Sequence, residues 1–180
     1  MVKPKIKFTY EDYLQLPEDK RYELMEGEFY MVPSPGWSHQ TVIVNIFLAL
    51  HHHVSNLKLG EVRFAPLDVV LSNEDVVQPD ILFISNERSD IITEKNVRGA
   101  PDLVIEILSA STAERDKGLK RKIYAKYGVR EYWIADPETN SIEVLTPGEK
   151  GLETVQVYKM GEALSSPLLE GLSLNTDDIF

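Results

Sequence analysis

The sequence predicts an α/β fold, and three observations support this prediction. Residues 103–108 are apolar except for one glutamate, which is typical of a strand buried on both faces of a sheet. Residues 41–54 and 111–127 carry apolar side chains at helical spacing, and strand-like runs lie between and around these two segments. A length of 180 residues is sufficient for one full hydrophobic core, so we assign residues 1–180 to a single domain.

Composition narrows the class of protein. The chain contains no cysteine, which excludes disulfides, thiolate metal sites and a cysteine nucleophile. The N-terminus lacks the apolar core of a signal peptide, and the longest apolar stretch, residues 41–50, is too short to span a bilayer. We therefore expect a cytoplasmic protein without membrane association. The net charge of -10 argues against loose electrostatic binding to nucleic acid, but residues 114–130 hold seven basic and only two acidic side chains.

The N-terminal segments predict a helix and a hairpin. Thr9 begins a capping-box pattern, which predicts a short helix to about Leu16 within a lead-in of residues 1–20. Residues 21–32 alternate in polarity around a Glu-Gly pair. This pattern predicts an N-terminal β-hairpin with Glu28 on its returning strand.

The next segment predicts a long helix and a strand. Ser38 can cap a helix that runs to about Val54. The three histidines at 51–53 resemble a metal-binding tract, but successive helical residues point about 100° apart and cannot all reach one ion. We interpret them as solvated side chains near a helix C-terminus. Residues 61–71 predict a strand, with Pro66 marking an edge or a bulge.

Two carboxylates are set against apolar runs. Residues 76–84 return as the second arm of a hairpin and contain Asp80, and Glu106 lies within the next strand. A buried carboxylate must meet a cation or a proton, because leaving it unpaired is costly. If the two strands are neighbours, these side chains converge about 4.8 Å apart and can share a divalent cation. The alternative is that Glu106 pairs with a Lys or Arg in the core or lies at a wetter strand end.

A basic helix follows the strand of Glu106. Residues 111–127 predict this helix, and its apolar arc is formed by Leu119, Ile123 and Tyr127. Asp116 and Lys120 fall within about 40° of the centre of the arc, whereas Lys122 lies about 120° away. We therefore expect Lys120 to point at the sheet while its neighbours face water. The alternative is that Lys120 only forms a structural ion pair with Asp116, four residues earlier.

The last third of the chain predicts strands and a tail. Residues 129–137 predict a strand that ends in an Asp-Pro turn, and residues 142–145 and 153–158 predict two more strands. Residues 160–180 are predicted to form a C-terminal tail that packs on the core, without identifiable chemistry.

The two acids and the lysine are the groups that metal-dependent hydrolysis of a phosphodiester requires. Asp80 and Glu106 would hold Mg²⁺, with Mn²⁺ as a substitute, and the ion would polarise the phosphate and lower the pKa of a bound water. Lys120 would orient that water, help to deprotonate it, or stabilise the developing charge. Spacing alone is unspecific, because many α/β proteins carry scattered acids and lysines.

Several motifs together resemble one bacterial family. They are Arg21-Tyr22-Glu23-Leu24 with Glu26-Gly27-Glu28, Ser38-His39-Gln40, Gln78-Pro79-Asp80, residues 101–109, residues 116–124 and Val129-Arg130-Glu131-Tyr132-Trp133. From residue 9 to 180 the chain resembles the Uma-type restriction endonucleases of the PD-(D/E)XK nuclease superfamily. The resemblance implies a restriction-endonuclease-like core, in which a mixed central β-sheet is flanked by α-helices and holds Mg²⁺ at its edge.

The resemblance also assigns roles to individual residues. It implies that Asp80 supplies the first acid of the motif and Glu106 the second. The lysine that usually follows two residues later is Leu108 here. Lys120 matches a lysine displaced to the following helix, in agreement with the helical wheel.

Four further residues are candidates for the site. Glu28 matches the first acidic position of the family and would hold metal through water, the alternative being a charge at the sheet edge. His39 matches a position near the site, where it would contact substrate or only cap the helix. We also assign Lys117 and Lys122, on the basic helix, to the substrate side.

The leading hypothesis is a Mg²⁺-dependent endonuclease that cuts DNA. Because the chain is acidic, its basic helix, a homodimer or another partner would be needed to hold DNA. The alternative is a catalytically inactive module of the same fold that binds nucleic acid or protein. A third hypothesis is a metal-dependent hydrolase of small phosphoesters.

Overall fold

The computed structural model describes residues 6–17 and 19–180. The first helices and strands are α1 (Tyr10–Tyr13), β1 (Tyr22–Met25), β2 (Glu28–Met31), α2 (Trp37–Leu57) and β3 (Gly60–Phe64). They are followed by β4 (Val69–Val70), β5 (Val76–Val77), β6 (Ile81–Ser85), β7 (Val97–Arg98) and β8 (Leu103–Ile107). The last are α3 (Ala113–Arg115), α4 (Arg121–Tyr127), β9 (Glu131–Asp136), β10 (Ser141–Gly148), β11 (Gly151–Lys159), β12 (Ala163–Ser165) and β13 (Ser173–Asn175). None of the described helices has the length and apolarity needed to cross a membrane.

A six-stranded mixed sheet forms the centre of the fold, in the order β11-β10-β9-β8-β6-β3. Strands β8 and β9 are parallel, and the other neighbours are antiparallel. A second sheet, in the order β2-β1-β5-β4-β7, contains the N-terminal hairpin. The mixed α/β fold and the hairpin that the sequence predicts are therefore confirmed.

Strand β8 is buried on both faces, and two hydrophobic clusters cover it. Leu103, Ile105 and Ile107 pack in the cluster that contains α2 and the C-terminal segment. Val104 packs in the other cluster, with α4 and residues of the second sheet. Glu106 shares the face of Val104, because side chains alternate along a strand. It is only 2 % exposed, as the apolar run around it predicts.

Helix α2 follows the predicted apolar spacing, but it begins earlier than the sequence indicates. Its buried side chains are Val42, Ile43, Ile46, Leu50 and Val54. The N-cap is Gly36, without a side-chain hydrogen bond, so the prediction that Ser38 caps the helix is wrong. Among the three histidines, His51 and His52 are exposed and His53 is half-buried.

The predicted hairpin of residues 61–84 is divided between the two sheets. Strand β3 pairs with β6 in the large sheet, whereas β4 pairs with β5 in the small one. The chain leaves the large sheet around Ala65 and Pro66, so the single strand predicted for residues 61–71 is two strands. Asp80 therefore lies where the chain re-enters the large sheet, directly before β6.

The C-terminal segment packs on the core and contains the short pair β12–β13, which the sequence did not predict. Five of its side chains join the core cluster: Leu164, Leu169, Leu172, Leu174 and Ile179. The buried carboxylate of Glu131 anchors the segment, because it accepts hydrogen bonds from Ser166 Oγ at 2.8 Å and Leu168 N at 2.7 Å.

One buried carboxylate, that of Asp75, joins the hairpin turn to helix α4. Its oxygens accept hydrogen bonds from Glu26 N at 2.7 Å, Tyr127 Oη at 2.6 Å and Lys126 Nζ at 3.1 Å. Burial by itself raises the pKa of Asp75, but these three donors outweigh that effect and lower it. The ionised form of Asp75 is thus stabilised by folding.

We predict that Asp75→Asn lowers the free energy of unfolding at pH 7 by about 1–3 kcal/mol, the cost of weakening a buried hydrogen-bonded charge. A folded-state pKa below the unfolded value gives stability that is present above the unfolded pKa and is lost as the pH falls through the folded pKa. The difference between wild type and variant should therefore shrink in acid. Urea unfolding across this pH range measures it, with the exposed Asp90→Asn as control. Equal stability at pH 7 would contradict the prediction.

Candidate active site

A cleft of about 160 Å³ lies where the two sheets, the start of α2 and the basic helix meet. Four carboxylates line it, and we call them the carboxylate floor: Glu23, Asp80, Glu106 and Asp116. Lys120 and His39 line the same cleft. These groups come from five parts of the chain, so only the folded protein brings them together.

Asp80 and Glu106 lie side by side on neighbouring strands. Ile81 of β6 is opposite Ile105 of β8, and continuing this antiparallel register places Asp80 opposite Glu106 on the same face. The Asp80 carboxylate accepts a hydrogen bond from Ile107 N at 2.7 Å. The structure therefore brings together the two acids that the sequence pattern placed on adjacent strands.

His39 contacts the Asp80 carboxylate from helix α2. Its Nε2 lies 3.3 Å from Oδ2 of Asp80, and both side chains are largely buried. Burial lowers the pKa of His39, but the hydrogen bond and the charge of Asp80 outweigh this effect and raise it. His39 is thus placed at the site and does not cap α2, which begins at Trp37 after the N-cap Gly36.

Lys120 points into the carboxylate floor and is 4 % exposed. Its Nζ lies 2.8 Å from Glu23 Oε1 and 2.9 Å from Glu106 Oε1. Asp116, the partner that a purely local ion pair would use, is more distant, with Oδ1 at 3.6 Å. The ammonium group of Lys120 therefore contacts three carboxylates from three parts of the chain.

A π-helical turn presents the side chains of Asp116 and Lys120 to the sheet. Asp116–Lys120 form this turn between α3 and α4, so the helix predicted for residues 111–127 begins at Ala113, runs without a break to Tyr127 and is locally widened. Single π-turns inside helices occur frequently at functional sites. One turn later the buried Tyr124 donates a hydrogen bond of 2.5 Å to Glu106 Oε1.

The pKa shifts of the buried groups in the cleft distinguish the role of Lys120 from the roles of the carboxylates. Burial raises the pKa of Glu106, and the neighbouring carboxylates add to this effect while Lys120 opposes it. Burial also raises the pKa of Asp116. For Lys120 burial favours the neutral amine, but Glu106, Glu23 and Asp116 outweigh it and raise the pKa well above the usual value. Lys120 thus keeps its proton, which favours charge stabilisation over deprotonation of water.

The cleft fits a divalent cation with oxygen ligands. Four carboxylates face one ammonium, and three buried polar atoms at the cleft lack a hydrogen-bond partner in the described part of the chain: His39 Nδ1, Gln78 Oε1 and Asp116 Oδ1. Within residues 6–17 and 19–180, no three His, Asp or Glu side chains converge as a preformed metal site. Mg²⁺ is commonly held by one or two carboxylates and keeps several waters, so Asp80 and Glu106 fit this ion.

Of the two hairpin glutamates, Glu23 and not Glu28 lines the cleft, so a role of Glu28 in holding metal stays a prediction. Glu28 lies at the turn end of the hairpin, opposite Met25, and is not among the residues that line the cleft. Glu23 lines it instead, and its Oε1 also accepts a hydrogen bond from Gln78 N at 2.9 Å. The signal for Glu23 was present in the sequence, because a carboxylate between Tyr22 and Leu24 has the same buried-strand pattern as Glu106.

The two lysines assigned to the substrate side lie elsewhere. Lys117 and Lys122 are exposed and line a separate depression with Arg121 and Lys150. Neither lines the cleft, because the helical rotation that aims Lys120 inward turns them away.

We predict that Lys120→Met destabilises the protein by about 3–5 kcal/mol, because it leaves buried carboxylates without their shared cation. Urea unfolding at neutral pH measures this loss. Lys122→Met is the matched control, since it removes an exposed lysine of the same helix and should change stability little. A Lys120→Met protein as stable as wild type would show that the carboxylates do not depend on this ammonium.

Comparison with known proteins supports this architecture. The Uma2 family model, described as "Putative restriction endonuclease", matches residues 10–177. A protein of Synechocystis sp. named as uncharacterized is 24% identical over 180 residues, covering 97% of this chain and 92% of its own. The crystal structure of a "putative nuclease belonging to DUF820" from Anabaena variabilis has a TM-score of 0.81 at 22% identity, covering 96% of this chain and 97% of that one. The chain thus shares the fold of that structure, and it belongs to the Uma2 family, whose model is described as "Putative restriction endonuclease".

Proposed function

We propose that this protein is a metal-dependent nuclease that hydrolyses DNA phosphodiester bonds with Mg²⁺. One observation carries the proposal: Asp80 and Glu106, on neighbouring strands, share a cleft with the buried cation Lys120. The nuclease descriptions of the family and of the structural relative support a nuclease-like function. A cytoplasmic location and a homodimer stay predictions.

Asp80 and Glu106 would hold the ion, and their other contacts fix their orientation. Ile107 N and His39 position the Asp80 carboxylate. Lys120 and Tyr124 both bond to Oε1 of Glu106, so Oε2 receives no hydrogen bond from the described residues and is available to a cation. When bound, the ion polarises the phosphate and lowers the pKa of a coordinated water.

Lys120 would act as a fixed positive charge. The transition state of phosphoryl transfer spreads negative charge over the phosphate oxygens, and a preorganised cation in a water-poor cleft stabilises that charge. Its three carboxylate contacts hold the ammonium in place before substrate binds. Positioning before the reaction is what makes such a group effective.

The alternative, a catalytically inactive interaction module, is favoured by one observation. Lys120 already pairs with the carboxylates around it, so the cluster is partly neutralised without a metal. Such a module would retain the fold and would show neither metal binding nor cleavage.

The decisive experiment for the proposal is a nuclease assay with Mg²⁺ or Mn²⁺ on duplex and single-stranded DNA. We expect Glu106→Gln and Asp80→Asn to lower the rate by at least about 100-fold, as loss of one group that stabilises the transition state does. Glu28→Gln is the matched control, because this carboxylate does not line the cleft. Equal cleavage by wild type and both site variants would mean contamination and would overturn the nuclease assignment.

Metal binding is testable without turnover. We predict that the melting temperature rises with Mg²⁺ concentration, because an ion that binds only the folded state stabilises it by about 2.7 kcal/mol at 100 times its Kd. Glu106→Gln should abolish the rise, whereas Glu28→Gln should retain it. A melting temperature that is independent of Mg²⁺ and Mn²⁺ in the wild type would favour the interaction module.

A further inference from the structure

We propose that the cleft also contains a phosphate subsite, which binds the nucleic-acid backbone beside the scissile bond. Its residues, which we call the cleft mouth, are Arg21, Ser109, Ser111, Thr112 and Arg115. The inference rests on the proposed function, and it adds the groups that contact the substrate outside the metal site.

The two guanidinium groups of the cleft mouth are available to an anion. Arg115 stacks over the ring of Tyr30, with Cζ 5.3 Å from the centroid, and Arg21 makes a hydrogen bond of 3.4 Å to the carbonyl of Pro33. Neither forms an ion pair with a carboxylate of the residues that the structure describes. A stacked guanidinium keeps its N–H edges free, and its planar fork suits bidentate binding of phosphate.

What distinguishes these two arginines is their place on one cleft, because Arg98 and Arg121 also form no ion pair with a carboxylate of the described residues. The net charge of the chain is -10, and three of the five arginines outside the cleft, Arg63, Arg88 and Arg130, pair with Glu61 or Asp102. Arg21 and Arg115 thus bring two positive charges to the mouth of a cleft whose floor is acidic. They are the groups of the cleft mouth that can attract the phosphates of a nucleic acid to this acidic protein.

Hydroxyl groups complete the cleft mouth. Ser109 Oγ lies 3.1 Å from Ser111 Oγ and 3.0 Å from Thr112 Oγ1, directly after strand β8. Hydroxyl side chains, together with arginine, commonly bond to phosphate oxygens of a nucleic-acid backbone. The three hydroxyls thus lie within three to six residues of Glu106, on the same cleft.

The arrangement of charge favours a chain of phosphates over a single small phosphoester. Three members of the carboxylate floor, Glu23, Glu106 and Asp116, are buried and Asp80 is half-buried, whereas the residues of the cleft mouth are half-buried or exposed, so most of the cation-binding groups lie deeper than the anion-binding groups. A small phosphoester has one phosphate, which the proposed metal ion and Lys120 would already bind. Trp37, 90 % exposed, follows Gly36 of the cleft lining and offers a face on which a base can stack.

The test measures binding of a fluorescent single-stranded oligonucleotide in Ca²⁺ at several KCl concentrations. We expect Arg21→Met and Arg115→Met each to weaken binding roughly tenfold and to reduce the slope of log K against log salt by about one phosphate contact. Arg63→Met, an arginine that pairs with Glu61 and does not line the cleft, should bind like wild type. Arg115→Lys retains the charge and should keep the salt slope while losing affinity.

A second arm separates this proposal from the nuclease proposal. With Mg²⁺, the arginine variants should raise KM for the oligonucleotide more than for a nucleoside diester that carries one phosphate. Wild-type affinity and salt slope in both Arg→Met variants would overturn the subsite even if cleavage is found. If the wild type cleaves neither substrate but the salt slopes change as expected, the nuclease proposal fails and the subsite stands as a binding site for the nucleic-acid backbone.

Discussion

The structure depends on one buried ammonium group that carboxylates from different parts of the chain share. Lys120 reaches Glu23 of the hairpin, Glu106 of the central strand and Asp116 of its own helical turn. Removing a charge from water costs several kcal/mol unless a partner compensates, so none of these groups is stable there alone. The positions of the hairpin, the large sheet and the basic helix are therefore coupled through a few atoms.

The same cluster links stability to charge in the cleft. One ammonium does not neutralise four carboxylates, and burial together with the neighbouring carboxylates raises the pKa of Glu106 and Asp116. A divalent ion bound here would relieve this imbalance, because such an ion binds ionised carboxylates and competes with protons for them. Metal binding at this cleft would thus also stabilise the fold, which is why melting and cleavage report on one arrangement of residues.

Local patterns predicted the centre of the site, and long-range packing decided its boundary. The period of two in β8 and the helical wheel identified Glu106 and Lys120, because both depend only on nearby residues. The pattern around Glu23 indicated a charge in a buried strand, but it did not show which end of the hairpin meets the cleft, since that end is set by pairing of Leu24 with Val76, about fifty residues away. The division of one hairpin between two sheets was missed for the same reason.

Each member of the cluster violates a local rule by itself. Glu23 and Glu106 are charges in buried strands, and Lys120 is a charge on the apolar face of a helix. The charges compensate one another only in the folded protein, where the carboxylates surround the ammonium group of Lys120. Three charged residues in otherwise apolar, buried patterns indicate a functional site, because functional sites are where a sequence is expected to break local rules. Buried charges that have no local partner are accordingly the most informative signal that this sequence offers.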